Sequence, residues 1–481
     1  MSTFGALNTA YRGLTAAQQG MNVAGQNIAN AATEGYTRQR VEQSSLAAPA
    51  RGLFSGGALQ VGQGVSVDAI ARLGNSFLDG GVRSAGAQAG YAGVRSSALQ
   101  GIEGVLQEPG DNGISTALQD FWSAWQAAAN QPSEDGPKGL LLNAANSLTD
   151  KISSAYQGLD AQWSRTRAQA SDNVDAVNAA AAQVAAYNTT IRSTLAAGGS
   201  ANELIDARAK LTDKIASLAG GTVREQPDGT VDVLVGGNAL VTGGSVRTLA
   251  LSGSSSDRMG APVQLEWTDR SGLAIPVDGG EIAGALSVLA PGATPPSTPG
   301  SGGAIAEAAE KFNNFAVDLA TAVNRVHQKG QLPDDALGNP GAVGQDFYTM
   351  NGSGPAALRI KAPADAAGIA LKLPGKGALD TSVSDEISQL GTGPGSPDKA
   401  WSGIVTSIGV QSRGAQQRED LTSAAQASAL TGRASQASVS LDEENVSLLA
   451  NQHAYQAAAR VMTAVDEALD VLINRTGLVG R

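Results

Sequence analysis

The chain has no cysteine and only two histidines in 481 residues. Without cysteine there can be no disulfide, no thiolate metal site and no cysteine nucleophile. With histidines only at 327 and 453, the paired histidines of an HExxH zinc protease are absent. Aromatic residues make up 4 % of the chain, so the cores must be built from small side chains on closely packed helices. Charged residues reach 16 %, below the roughly 25 % usual in soluble domains. The net charge is −11 and no run is basic. Nucleic acid is therefore a poor partner, because counterion release needs clustered Lys and Arg. No stretch approaches the roughly 18 apolar residues of a membrane span, so no membrane partner is expected. The start, MSTFGALNTAYRG, lacks the basic region and apolar run of a cleaved signal peptide. Targeting signals alone point to a cytoplasmic protein.

Hydrophobic residues still make up 42 %, enough for a globular chain, and the length suggests two to four domains. Apolar residues recur every seventh position near the N-terminus, at Leu7, Leu14, Met21 and Ile28, with alanines at 10, 17 and 24. Near the C-terminus the same interval carries Leu441, Leu448, Tyr455, Met462 and Leu469. Their d positions are Glu444, Asn451, Ala458, Val465 and Leu472, polar at first and apolar later. Both stripes are heptad seams that suit packing along a partner helix. Ser440 with Glu443 resembles a capping box that opens the second helix, and Gly477 and Gly480 would close it. The two helices can pair with each other or form a coiled-coil dimer.

Further helical patterns cover 114–131, 139–159, 160–197, 202–220 and 304–329. Gly198-Gly199 marks a helix–helix turn. From Thr222 the pattern alternates. Two turn signals, PDG at 227–229 and GGN at 236–238, flank TVDVLV as a hairpin, and VQLEW with LAIPV suggests another strand pair. A Pro/Gly/Ser linker follows at 291–303, and residues 331–400 show no clear pattern. The expected fold is mainly α with an inserted β domain (α+β, multidomain). The terminal helices would pair in a coiled-coil-like hairpin over 1–60 with 435–481. A helical middle domain would occupy 61–221 with 304–434, and a β-rich outer insert with its linker 222–303.

No catalytic constellation assembles. His327 ends a helix and His453 lies in the C-terminal heptad helix, so both read as helix-surface or interface residues. Asp442-Glu443-Glu444 sits in a first helical turn, where the dipole favours negative charge. Asp334-Asp335 and Asp385-Glu386 read as solvated charges. No P-loop or other phosphate cradle is present. No enzyme activity, cofactor or metal is expected.

The stretch NIANAATEGYTRQRV at 27–41 ends the first helix abruptly. It resembles the segment closing the N-terminal helix of bacterial flagellar axial proteins, the rod, hook and hook-associated proteins, which read N-I-A-N-x-x-T-x-G-Y-[ST]-R-Q. Asn27, Ile28, Ala29, Asn30, Thr33, Gly35, Tyr36, Thr37, Arg38 and Gln39 match. The C-terminal helix resembles theirs through Asp442, Glu443, Glu444, Gln452, Ala454, Tyr455, Ala457 and Ala458. Inside the chain, Asn202, Leu204, Asp206, Arg208 and Leu211 are similar to the N-x-L-x-D-x-R-x-x-L passage of the hook-associated protein 1 family, the hook–filament junction proteins. The resemblance covers most of the chain and is weakest at 331–400 and in the linker.

What the resemblance implies is structural. Terminal helices would pair along the axial channel, and Asn30 through Gly35 would turn the chain outward, with Tyr36 packing and its hydroxyl finding a partner. The implied assembly residues are the a positions together with Asn30, Gly35 and Tyr36. Self-association into a ring or helical layer is expected. The hook protein, a second hook–filament junction protein and a flagellar export chaperone at the C-terminal region are the implied partners. The location would be extracellular, after type III export without a cleaved signal. A single subunit cannot cover either stripe fully, which predicts ends that fold only on assembly. A sister axial protein, a cytoplasmic coiled-coil scaffold and an enzyme carried on the insert remain the alternatives.

Overall fold

The structure, a computed structural model, describes residues 3–47, 62–253, 258–293, 302–334, 337–471 and 473. Leu472, Gly477, Gly480, Asp335 and positions 294–301 of the linker, on which expectations fell, lie outside the described residues.

Helix α1 (Thr3–Ala29) leads into an antiparallel hairpin, β1 (Gln39–Ser45) with β2 (Val65–Arg72). Four helices follow: α2 (Ser76–Leu106), α3 (Ile114–Asn130), α4 (Asp135–Ala196) and α5 (Asn202–Ala219). Two small sheets come next. One runs in order from β3 (Thr222–Glu225) through β4 (Val231–Val235) and β5 (Asn238–Thr242) to β6 (Ser245–Val246). The other joins β7 (Leu249–Ser252), β8 (Gln264–Trp267) and β9 (Arg270–Ala274). The chain then forms α6 (Gly280–Leu289), α7 (Ala304–His327), the short pair β10 (Thr349–Met350) and β11 (Ile360–Lys361) around α8 (Ala356–Arg359), and α9 (Ser382–Ser388). It ends with α10 (Pro397–Ala437) and α11 (Leu441–Asp470).

Two buried cores hold the body. The larger collects most of the scarce aromatics: Phe121, Trp125, Trp163, Phe312, Phe347 and Trp401 are all essentially buried, together with Leu118 and Leu319. Stacked rings bind α3, α7 and α10 into this core, with Phe121 and Trp125 at a 6.2 Å edge-on contact and Phe315 against Trp401 at 5.1 Å. The smaller core is made by Val177 and Val184 of α4, Ile215 of α5, and Val233, Val241, Leu265 and Trp267 of the two sheets. Helix α4 belongs to both. Its 62 residues rise about 1.5 Å each, so it is a strut about 93 Å long.

Several elements differ from the expectations above. The patterns at 139–159 and 160–197 form one helix, because only Gly158 lies between them and Val105 packs against it. The sheets are not free-standing: sheets this narrow cannot cover their own inner faces, and α4 with α5 supplies the cover. Gly280–Leu289 leaves the strand-rich region as a helix on α2. Gly284 crosses α2 so closely that a Cβ there would sit 2.8 Å from the Tyr91 carbonyl oxygen. The 31-residue α2 and 41-residue α10 were hidden by glycine, alanine and serine, which supply no apolar period. They run antiparallel, with Asn75 bonded to Gln436 and Arg433 reaching Asp79.

Candidate assembly interface

Helices α1 and α11 pack antiparallel in a regular register. Gly13 faces Ala458, Gly20 faces Asn451 and Asn27 bonds Glu444. Each step is one heptad on both helices, so the seven-residue interval of the two stripes is one shared register. The centre of the contact is a ridge of small residues, Ala10, Ala17, Gly20 and Ala24, with Val23 and Asn27, all buried. Small side chains let the two backbones approach, which drives the large a residues to the flanks. Leu7, Leu14, Met21 and Ile28 are half-buried there, as are Leu448, Tyr455, Met462 and Leu469. Leu441 is 50 % exposed. Phe4 and Tyr11 on α1 and Val446, Leu449 and Val461 on α11 point outward. The terminal helices thus pair within one chain, where folding on assembly was expected. The heptad stripes are nonetheless left covered from one side only.

The turn after α1 is built from the expected residues. Asn30 donates its side-chain N–H to the Gln26 carbonyl at 3.0 Å, and Thr33 bonds back to Asn30 through both backbone and hydroxyl. Gly35 adopts φ 71°, a left-handed conformation that costs glycine little. Tyr36 then folds under the helix, and its hydroxyl donates to Asn27 Oδ1 at 2.9 Å. Burial, with the carboxylates of Glu203, Asp206 and Glu444, pushes the phenol up to about 12, so it stays a donor.

Asn27 is the centre of this joint and is 1 % exposed. Its Oδ1 accepts from Tyr36 and from the Gln39 amide at 3.0 Å; its Nδ2 donates to the Gln39 carbonyl at 2.9 Å and to Glu444 Oε2 at 3.0 Å. All four hydrogen-bonding positions of the carboxamide are used. Arg38 holds both glutamates, Glu444 at 2.6 Å and Glu443 at 2.7 Å, and its amide bonds the Ala437 carbonyl before α11. Ser440 caps α11 by accepting from the Glu443 amide at 3.4 Å. The capping box is only half closed, because the Glu443 carboxylate goes to Arg38 instead. The acidic run at 442–444 is therefore more than a dipole effect: two of its three members are bonded to the other end of the chain.

The joint is fixed to the body by α5. Asp206 accepts from the Thr37 amide at 2.9 Å and from Arg72 at 2.6 Å. Asn202 donates to Gln39 Oε1 and to the Ile70 carbonyl, while Gln39 donates to Glu203. One turn further along α5, Arg208 reaches outward to Asn188 of α4 and to the Gly229 carbonyl in the hairpin turn, each at 2.8 Å. Burial lowers its pKa to about 10, which leaves it charged at neutral pH. Asp213 and Asp79 share Arg433 of α10. The three sequence motifs thus converge. Asn27, Arg38, Gln39, Asp206 and Glu444 were visible as motif matches, yet nothing in a heptad pattern marked them as one polar cluster.

Groups that could carry chemistry are committed to structure. His327 is buried, its Nδ1 bonded to the Gln345 carbonyl at 2.7 Å and its Nε2 accepting from the Ala370 amide at 2.9 Å. This corrects the helix-surface reading for His327, while His453 is exposed on α11. Asp334 pairs with Lys372, Glu386 with Lys329, and Asp385 accepts from Thr381. Among the described residues no group of three or more His, Cys, Asp or Glu side chains is arranged to hold a metal ion. No described helix is long and apolar enough to cross a membrane.

Comparison with known proteins places these features in a family. The family model described as "Flagellar hook-associated protein FlgK helical domain" matches residues 99–348. The two ends match other models: "Flagella basal body rod protein" at 7–37 and "Flagellar basal body rod FlgEFG protein C-terminal" at 430–475. The flagellar hook-associated protein 1 of Bacillus subtilis is 28 % identical over 518 aligned positions, spanning 100 % of both chains. Its counterpart in Escherichia coli is 26 % identical over 350 positions, 72 % of this chain and 60 % of that protein. The solved structure of the flagellar hook junction protein FlgK from Burkholderia pseudomallei aligns with a TM-score of 0.59 at 14 % identity, covering 73 % of this chain and 98 % of that one. It shares the fold.

Proposed function

This chain belongs to the flagellar hook-associated protein FlgK family, and on that premise we propose that it is the structural layer joining the flagellar hook to the filament. Identical copies would form a ring or short helical layer. The α1–α11 pair makes the axial contacts through its half-covered stripes, Leu7, Leu14, Met21 and Ile28 on one helix and Leu448, Tyr455, Met462 and Leu469 on the other. The helical body makes lateral contacts, and the sheets at the far end of α4 face outward. Below the layer lies the hook protein, and above it a second junction protein. A flagellar export chaperone would hold the C-terminal region before export to the cell exterior.

The observation that carries this reading is the polar joint at Asn27. It holds the two chain ends as one rigid antiparallel unit at a set angle to the body, which is what a subunit needs to match two coaxial tubes. The 62-residue α4 favours a junction protein over the hook protein, where so long a helix was not expected. Deleting the gene and examining cells by electron microscopy tests the proposal. Complete hooks without filaments, with flagellin lost to the medium, is the expected result. Missing hooks would move the chain to the hook or rod, and normal filaments would overturn the assignment.

A further inference from the structure

Two features at the height of the joint lie outside the contacts described so far. Phe77 stands in the first turn of α2 and is 83 % exposed, although Phe121, Phe312, Phe315 and Phe347 are all buried. The turn that carries it is rigid: Asn75 caps it by accepting from the Phe77 amide at 2.9 Å, and bonds Gln436 of α10. The second feature is a cleft of about 770 Å³ between the end of α1 and the body, with Met21, Val23, Ala29 and Ile70 as its apolar wall and Gln39 and Glu203 at its polar end.

Resting on the function proposed above, we propose that Phe77 of one copy inserts into this cleft on the next copy of the chain. The two features share one height along the molecule. Ile70 lies in β2, which ends at Arg72, and Phe77 follows at the start of α2. In a layer of copies related by rotation about one axis, surfaces at equal height face each other. An aromatic anchor facing a pocket with an apolar wall and a polar rim is how interfaces concentrate their contact. Met21 adds a thioether beside the ring. Knob and cleft lie at different places on one chain, so their contact is head-to-tail and propagates into a ring or helix instead of stopping at a dimer. The cleft is also continuous with the α1 face assigned to assembly, since Met21 and Asn30 line both.

The cysteine-free chain makes the test clean. Flagella are isolated from cells carrying the full chain with Phe77→Cys and Asn22→Cys, the latter an exposed residue of the cleft. Mild oxidation and a non-reducing gel should give a ladder of dimers, trimers and larger species, lost when either cysteine is omitted. Monomer alone from flagella that contain the chain overturns the proposal and leaves the junction role standing. Dimers from Phe77→Cys alone overturn it in favour of a symmetric contact, and a ladder when Phe4→Cys replaces Phe77→Cys assigns the cleft to α1 of another copy. Absence of the wild-type chain from isolated flagella overturns both the function and this contact. Phe77→Asp decides the question independently of cysteine placement. Incorporation should fall at least tenfold with an unchanged melting curve, and undiminished incorporation rejects the contact.

Discussion

Asn27 and Glu444 are 417 residues apart along the chain and 3.0 Å apart in the fold. The bond closes the α1–α11 pair at the end nearest the body. Asn27→Ala removes partners from Glu444, Tyr36 and both backbone groups of Gln39, and each buried group left unsatisfied costs about 1–3 kcal/mol. Arg38→Met leaves the buried Glu444 carboxylate without its cation, a loss on the order of 3–5 kcal/mol. Amide exchange on the purified chain should show α1 and α11 opening in both variants while the aromatic core of α3 and α7 keeps its protection. Unchanged protection of α1 would mean that the ridge, not the joint, holds the pair.

The two facing glycines of α1 should respond differently to alanine. At Gly13 a Cβ would lie 3.9 Å from Ala458 Cβ, an ordinary contact. Gly13→Ala should then gain the helix-propensity difference of about 1 kcal/mol. At Gly20 the new methyl collides with the Asn451 carboxamide, which must leave its bond to the Ser447 carbonyl. Gly20→Ala should gain nothing, and Gly20→Val should separate the helices. Exchange protection of α11 measures both.

Leu14→Glu and Leu448→Glu test the stripes. Each side chain is already half exposed to solvent in the single chain, so the fold should survive with little change in its melting curve. Covering a leucine fully contributes roughly 1.5–3 kcal/mol, and a charge there cannot be covered by a neighbouring copy. Incorporation into flagella should be abolished in either variant. Normal filaments would show that the stripes are not the axial contacts.

His327 predicts a pH dependence. Burial pushes its pKa below the usual 6.5, against the opposing effects of the Gln345 carbonyl and Asp346. The folded chain therefore holds a neutral ring while the unfolded chain still takes up a proton near 6.5. Stability is complete above 6.5 and falls as the pH drops from there through the folded value. Urea midpoints taken from pH 8 to pH 5 should decline below pH 6.5. In His327→Gln the decline should be shallower, from a lower starting stability. Parallel curves would assign the slope to other groups.

What was legible in the sequence was periodic. The heptads of α1 and α11 and the amphipathic faces of α3, α5 and α7 repeat in a way that any helix-packing argument detects. Glycines at 86, 90, 93 and 101 broke the pattern of α2, although in the fold they are the places where α5, α6 and α10 come near. Helix α10 was missed for a related reason: it buries only Pro397, Trp401, Ile408, Ser412 and Ala415, too few for a period to emerge. The joint was half legible. Its residues stood in three motifs, but a contact between positions 38 and 444 leaves no local trace in either segment.

The joint also has a consequence in time. The α1 segment is made first and α11 near the end, so Asn27 and Arg38 acquire their partners only when synthesis has passed Glu444. A chain cut short anywhere before residue 441 keeps the bare alanine ridge and an unpaired arginine, and it offers no second helix to a growing layer. The lock between the two ends therefore acts as a completeness check: only full-length copies carry both halves of the key.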